Sequence, residues 1–369
     1  MNPQLSPERL DALAAELDAL RAEVLGDLGE RDAAYIHGMV RLARTSAIVG
    51  RGLLMFGITP VSWLAGTSAL GLAKILENME IGHNVMHGQY DWMNDPALDS
   101  RTYEWDNVCD GDDWRHSHNF LHHTYTNIVG RDRDVGYGVM RVADEQAWSP
   151  KHLLQPLSNV VLSVLFQWGV GLHDLDVPRR METPEGRREL RTRGRPFLRK
   201  ASRQLFKDYV LFPALALGNA PRVLLGNLTA NLARNVWSNV IIFCGHFPEG
   251  TRFYTEEETA AESRGGWYVR QMEGSANIEG GRWFHVLSGH LSHQIEHHLF
   301  PDLPAHRYPE LAPRVQAICA KYGLRYNTGS FWKQYGSVLG GLVRRALPPV
   351  RRVAAASEST PHAPARAAA

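Results

Sequence analysis

The stretch His290-Leu-Ser-His293-Gln294-Ile-Glu-His297-His298 is the last of three short histidine clusters in the chain. The other two are His83-Asn-Val-Met-His87 and His116-Ser-His118-Asn-Phe-Leu-His122-His123, and the three together hold ten of the 17 histidines. Each cluster contains two histidines four residues apart, a spacing that places both on one face of an α-helix. Because imidazole is the commonest metal-binding side chain, the clusters predict a metal site. The adjacent His123 and His298 would lie about 100° further around their helices, so a cluster could serve two neighbouring metals.

Chance accounts for a single histidine pair, but not for three clusters with two His-His doublets. Isolated histidines are usually surface residues or satisfied core residues, so no functional role is expected for them. These are His37, His152, His173, His306 and His362.

The donor set favours iron over a structural zinc. Zinc closes a structural site with about four ligands, often cysteines. Here at least eight histidines accompany only three scattered cysteines, Cys109, Cys244 and Cys319, which form no Cys-x-x-Cys pair. A histidine cluster large enough for two redox metals points to iron and dioxygen chemistry.

Composition predicts one main folded unit. In 369 residues there is no Pro/Gly/Ser-rich linker, and a net charge of +1 argues against the basic surface expected of a nucleic-acid-binding protein. The charge is uneven, since residues 179–207 carry eleven Arg and Lys against three Glu. Residues from 348 onward, rich in Ala, Pro and Ser, are expected to be disordered. The acidic N-terminus lacks the pattern of a cleavable signal peptide.

Long uncharged runs predict an integral membrane protein. Residues 52–73 and 153–172 carry no charge, and residues 209–247 are interrupted only by Arg222 and Arg234. Such runs suffice to cross a hydrocarbon core of roughly 30 Å. Buried helices of a large soluble enzyme are the alternative interpretation.

Membrane topology follows from requiring all three clusters on one side. Residues 44–80 would form one hairpin turning near Pro60, and residues 209–247 a second turning near Asn219-Ala-Pro-Arg222, with 153–172 in the interface. The alternative, in which 153–172 and 209–247 each cross once, would place the basic segment 179–207 outside, against the positive-inside tendency. We therefore expect both termini and the clusters in the cytosol, and a protein integral to the cell membrane.

The clusters resemble the three histidine boxes of the membrane fatty acid desaturases. The segment Gln294-Ile-Glu-His297-His298-Leu-Phe-Pro301 is the most specific match, and it is similar to actinobacterial acyl-CoA desaturases and front-end desaturases. The resemblance covers about residues 44–326. It implies an all-α integral membrane protein, with four transmembrane helices in two hairpins under a cytosolic helical cap that holds a di-iron site. It also implies oxygen-dependent desaturation of a fatty acyl chain, carried on CoA or on a lipid, in fatty acid biosynthesis. The division expected is an acidic N-terminal cytosolic helix (1–43), a desaturase domain (44–330) and a C-terminal segment (331–369).

Two departures from the family pattern affect the predicted ligands. Asn84 stands where many relatives have Asp, so the acidic partner of that box is expected elsewhere, with Asp91 as a candidate. In the third box, Gln294 occupies the position of a ligand and His293 stands beside it; ligand chemistry favours His293, whereas alignment favours Gln294. A further family histidine matches His246. The predicted metal ligands are His83, His87, His118, His122, His123, His246, His293, Gln294, His297 and His298. Carboxylates expected to support them are Glu296, Asp112, Asp113, Asp132 and Asp134.

The resemblance also sets the expected cofactors and partners. These are two non-haem iron ions, dioxygen as co-substrate, the bilayer, and an external electron donor of ferredoxin, rubredoxin or cytochrome b5 type with its reductase. The sequence has no His-Pro-Gly-Gly haem motif, so a fused cytochrome b5 domain is not expected. Two alternatives remain: a related membrane di-iron hydroxylase acting on a lipid or alkane, and a non-catalytic membrane metal-binding protein.

Overall fold

The computed structural model describes residues 5–349, and these form an almost entirely helical fold. The α-helices are α1 (Pro7–Gly26), α2 (Glu30–Phe56), α3 (Pro60–Ile75), α4 (Asn84–Met86), α5 (Gly111–Trp114), α6 (His123–Tyr125), α7 (Gln155–Val164), α8 (Phe166–Asp174), α9 (Val177–Met181), α10 (Pro184–Phe206), α11 (Phe212–Leu215), α12 (Ala220–His246), α13 (Glu256–Thr259), α14 (Arg264–Glu273), α15 (Arg282–Leu287), α16 (Gln294–Leu299), α17 (Tyr308–Tyr322) and α18 (Phe331–Ala346). Three π-helical segments are Leu76–His83, Arg115–His122 and Lys207–Leu211. The 3-10 turns are Asp91–Met93, Val135–Gly138, Pro150–Leu154, Leu217–Asn219, Leu291–His293 and Ala305–Arg307. Strands β1 (Asn277–Glu279) and β2 (Thr328–Ser330) pair in parallel, with Ile278 opposite Gly329.

Helices α2 and α3 form the first predicted hairpin, with Thr59 capping α3 and Pro60 in its first turn. Two glycines allow the helices to approach closely. A Cβ at Gly50 would lie 2.7 Å from the backbone nitrogen of Leu70, and one at Gly66 would lie 3.1 Å from the carbonyl oxygen of Gly50. A larger side chain at Gly50 would therefore separate the two helices.

The second predicted hairpin is also present. The π-helix Lys207–Leu211 and α11 run toward a turn at residues 216–219, and α12 returns from it against α3. The two hairpin turns are hydrogen-bonded together: Asn219 Nδ2 donates to Met55 O at 2.8 Å, and Arg222 Nη2 donates to Thr59 O at 2.7 Å. Both turns therefore lie at one end of the molecule.

Apolar side chains are exposed around these turns. Phe56, Ile58, Val61 and Leu217 are 77–83% exposed. No single helix among the described residues satisfies a length-and-hydropathy test for crossing a membrane. The bent pair Pro150–Val164 and Phe166–Met181, whose axes meet at 98°, satisfies the test jointly. The all-α fold is confirmed, whereas four membrane-crossing helices remain a prediction.

The N-terminal helix belongs to the body of the molecule. Leu13, Leu17 and Leu20 of α1 are buried in a cluster with Tyr268 of α14 and Val315 of α17. The expected boundary at residue 43 falls inside α2, which continues without a break from Glu30 to Phe56. The expected disorder from residue 348 onward falls almost wholly outside the described residues.

Candidate metal centre

The histidines of the three clusters converge because helices end or change pitch at them. Helix α3 continues into a π-helical segment that ends at His83, and α5 continues into another that ends at His122. Helix α12 ends at His246, and the short α16 carries the third doublet. The expected proximity of residues four apart is confirmed in the first two clusters: ring centroids are 4.6 Å apart for His83 and His87, and 5.1 Å for His118 and His122.

The rings form two neighbouring groups, in each of which potential ligand atoms lie within 4.8 Å of one another. The first group is His83, His87, His118 and His297. The second is His122, His246 and His298. A set made of His123, His297 and His298 lies between them, and the rings of His123 and His298 stack at 4.5 Å. This arrangement can hold two metals close together.

The unsatisfied nitrogens fit bound metal ions. Buried ring nitrogens without a hydrogen-bond partner occur on every histidine of both groups and on His123. Leaving so many buried polar atoms unpaired is costly unless another ligand binds them. Burial lowers the pKa of His87, His123, His297 and His298 well below the ordinary value. These four imidazoles are therefore in the neutral, metal-binding form at neutral pH. His122 differs, because the Asp132 carboxylate outweighs the effect of burial and raises its pKa.

Other side chains hold these rings in orientation. Asp132 Oδ2 lies 3.0 Å from Nδ1 of His122, which directs Nε2 into the second group. Gln271 Oε1 lies 3.0 Å from Nδ1 of His298. Asn84 Oδ1 lies 3.1 Å from Nδ1 of His83. Such partners fix the tautomer of a ligand and raise its affinity for the metal.

The expected support from carboxylates is only partly present. Asp132 contacts His122 as expected, and Asp134 lies 3.8 Å from Nδ1 of His118 and 3.1 Å from His173. The prediction that Asp91 supports the first cluster is wrong, because its carboxylate accepts hydrogen bonds from Ser100. The amide of Asn84 lies beside His83 instead.

Three further carboxylates contact no ring of either group. Asp112 pairs with Arg115, and Asp113 pairs with Arg193. Glu296 accepts hydrogen bonds from Asn277 and Tyr326, while burial raises its pKa to about 7. Glu296 directly precedes His297 on α16, so its side chain leaves the helix about 100° away from that ring.

The helical spacing expected between His293 and His297 is wrong. His293 ends a 3-10 turn with φ −106° and ψ 57°, so α16 begins only at Gln294. His293 therefore turns away from both groups and lies against His285, with centroids 4.6 Å apart. The amide of Gln294 instead lies 3.0 Å from Nε2 of His246.

Sequence reasoning missed several supporting residues. The sequence pattern indicates no role for His173 or Gln271, yet Nε2 of His173 lies 3.1 Å from Asp134 and Oε1 of Gln271 lies 3.0 Å from Nδ1 of His298. Of the other cluster members, His116 is exposed and His290 contacts Glu80 at 3.0 Å. Short polar side chains distant in sequence from the histidines gave no signal that could have identified them.

A cavity adjoins the histidines. Its wall contains His83, His118, His122 and His246 together with apolar residues that include Trp105, Phe166, Val170, Phe247 and Leu291. Most of the surface that the wall exposes is apolar, which suits a hydrocarbon ligand, while polar side chains such as Asn78, Asn107, Arg234 and Asn235 also line the cavity.

Comparison with known proteins agrees with this arrangement. The family model "Fatty acid desaturase" matches residues 59–330. The chain is 48% identical to an NADPH-dependent stearoyl-CoA 9-desaturase of Mycobacterium tuberculosis, over 93% of this chain and 82% of that protein. It is 28% identical to an sn-1 linoleoyl-lipid 6-desaturase of Synechocystis, over 71% of this chain and 74% of that protein.

Proposed function

The chain belongs to the fatty acid desaturase family, and from that premise we propose that it desaturates a long saturated acyl-CoA at two iron ions held by its histidines. The observation that carries this proposal is the pair of histidine groups in the wall of an apolar cavity. Acyl-CoA is preferred to acyl-lipid because the mycobacterial relative, at 48% identity, is named for stearoyl-CoA.

The ligands divide between the two irons. His83, His87 and His118 would hold one iron, and His122, His246 and His298 the other, with His123 and His297 between them. Gln294 would complete the second set, since its amide adjoins His246. Ligation by histidine nitrogens that leaves coordination positions open suits redox-active iron.

Bound iron would supply the activation of dioxygen that removal of hydrogen from an unactivated methylene requires. The protein's own residues do the positioning. Asp132, Gln271 and Asn84 orient the rings, and the apolar wall of Phe166, Val170 and Leu291 excludes water and holds the acyl chain. Methylenes offer no polar handle, so the shape of this wall would select the bond that reacts.

The overall reaction requires electrons from outside. One –CH₂–CH₂– unit gives up two electrons and two protons, an external donor gives two more electrons, and two further protons complete the reduction of O₂ to two waters. We propose a separate iron–sulfur or haem protein as the immediate donor. NADPH is the ultimate source suggested by the name of the mycobacterial relative.

We further propose that both helical hairpins enter the membrane from the cytosolic side. Helix α12 separates its turn from His246 by about 39 Å, more than the hydrocarbon thickness. The turns expose apolar side chains. The basic segment 179–207 is instead attached near the metal centre, through Arg193 and Asp113, and would stay in the cytosol. Both termini and the metal centre would then be cytosolic.

Purified protein supplied with iron, O₂, labelled stearoyl-CoA and reductant tests the proposal. We expect about two irons per chain and an unsaturated C18 product, whose double-bond position mass spectrometry will locate. A hydroxylated product would favour the lipid hydroxylase, and bound zinc with no turnover would overturn the proposal.

A further inference from the structure

Helix α10 carries a stripe of arginines that the metal centre does not use. Arg188, Arg191, Arg195, Arg199 and Arg203 recur every three or four residues, so they share one face about 120° wide. All five are exposed. Among the described residues, none of these guanidinium groups has a hydrogen bond or ion pair. We call this face the arginine stripe.

The opposite face of α10 is fixed to the body of the protein. Phe197 and Ala201 are buried against Val108 and Leu175, and Arg193 binds Asp113 at 2.8 Å. The stripe is therefore held rigidly and points away from the protein. It is about 22 Å long, from Arg188 to Arg203.

The stripe lies close to the metal centre. Asp113, which anchors α10, belongs to α5, and α5 runs directly into the π-helix that carries His118 and His122. Phe197 also packs against Gly171 of α8, the helix that contributes Val170 to the cavity wall. A partner on the stripe would be separated from the histidines by little more than one layer of helices.

We propose that the arginine stripe is the docking surface for the acidic face of the electron-donor protein. This inference rests on the proposed function, which requires a donor outside the chain. A long row of like charges attracts an oppositely charged protein surface and accelerates its association. Leu198 is 64% exposed and lies about 80° around the helix from the centre of the stripe. It supplies an apolar contact beside the arginines.

Two other anionic occupants fit the stripe less well. The nucleotide of an acyl-CoA is small and would be expected in a concave site, whereas this surface is convex and extended. A lipid surface is usually bound by a helix that inserts a continuous apolar face. In α10, Phe197 and Ala201 are already buried within the protein, which leaves Leu198, Leu205 and Phe206 as separate exposed apolar side chains.

The test compares three variants in neutral detergent, with an acidic [2Fe–2S] ferredoxin as the donor. Arg191→Glu/Arg195→Glu/Arg199→Glu reverses the charge of the stripe, and the corresponding triple Lys variant preserves it. Arg41→Glu/Arg344→Glu reverses exposed charges elsewhere. We expect the Glu variant to raise the KM for ferredoxin by about tenfold or more, with little change in the other two. Added salt should weaken ferredoxin binding by the wild type, so that its KM for ferredoxin approaches that of the Glu variant.

Two further measurements separate this inference from the proposed function. Binding to immobilised ferredoxin reports docking whether or not desaturation occurs. Single turnover driven by dithionite bypasses the donor and should be equal in wild type and Glu variant; no product from wild type would defeat the proposed function alone. Unchanged ferredoxin binding in the Glu variant would overturn the inference, as would a raised KM for stearoyl-CoA. An effect that appears only in phosphatidylglycerol nanodiscs, and neither in phosphatidylcholine nanodiscs nor in neutral detergent, would assign the stripe to lipid instead.

Discussion

The carboxylate of Asp132 lies 3.0 Å from Nδ1 of His122, and it also accepts a hydrogen bond from the backbone nitrogen of Asn127 at 2.8 Å. The second contact fixes the carboxylate, and the carboxylate in turn fixes the imidazole. Replacement of a residue that orients a metal ligand typically weakens metal affinity by about 10- to 100-fold. We therefore expect Asp132→Asn to lower iron occupancy at limiting iron, measured by metal analysis. Asp91→Asn is the matched control, because Asp91 contacts Ser100 and no histidine of the groups. Equal iron in both variants would show that Asp132 has no such role.

The doublet histidines should be indispensable for metal binding. His298 is fully buried, and its Nε2 has no protein partner. We expect His298→Ala to reduce bound iron from about two per chain to one or fewer and to abolish product, while the protein still folds. His37→Ala should retain iron and activity, because His37 is half-exposed and belongs to neither histidine group; its Nε2 lies 3.8 Å from Asp95. Full activity in His298→Ala would contradict the proposed ligand set.

The third cluster distinguishes ligand strength from geometry. Gln294 reaches His246, whereas His293 faces His285. We expect Gln294→Ala to lose more iron than His293→Ala, since only the first removes a group from the metal centre. Gln294→His should retain iron, because imidazole is the stronger ligand at the same position. The opposite order of iron contents would assign the ligand to His293.

A buried ion pair links the two hairpins. Lys74 Nζ lies 2.8 Å from Asp208, and both residues are less than 5% exposed. Removing Asp208 leaves the buried Lys74 with the more distant Asp106, 3.9 Å away, so Asp208→Ala should lower the free energy of unfolding by up to about 3–5 kcal/mol. In Lys74→Met/Asp208→Leu we expect a smaller loss than the sum of the single changes.

The surface pair Arg314 and Glu23 serves as the control for the buried pair. Both side chains are about half-exposed or more, so we expect less than about 1 kcal/mol for Glu23→Ala. Denaturant unfolding of the detergent-solubilised protein measures these differences. Additive losses at Lys74 and Asp208 would mean that the pair contributes no coupling.

The contact between Asp32 and Arg307 predicts a loss of stability in acid. Burial opposes ionisation of Asp32, but hydrogen bonds from Arg307 and from the Gly29 backbone hold its pKa at about 2, below the ordinary 3.8. Because the folded pKa is depressed, the stabilisation is complete above the unfolded pKa and is lost as pH falls from about 4 to 2. Asp32→Asn should unfold at a lower temperature than wild type at pH 6, and this difference should shrink across that window. Asp11→Asn, at an exposed carboxylate, should show no such pH-dependent difference.

The sequence allowed a large part of the fold to be predicted. The helical hairpins around Pro60 and around Asn219 follow from long apolar runs interrupted by a proline, which is favoured in the first turn of a helix and disfavoured in its interior. The prediction that His123 and His298 point in a different direction from His122 and His297 follows from the fixed angle between adjacent residues of a helix. Membrane insertion of the hairpins remains a prediction.

Residue chemistry and helical spacing in the sequence determined that this protein is all-α and that its histidines suit a metal, because both are local properties. Which histidines meet was decided by tertiary structure. A break in the helix at His293 turned that residue away, and the amide of Gln294 took its place beside His246. The partners of the rings, Asp132, Gln271 and Asn84, were likewise set by packing. Contacts between distant segments depend on how helices end and approach one another, and the spacing within one segment carries no record of that.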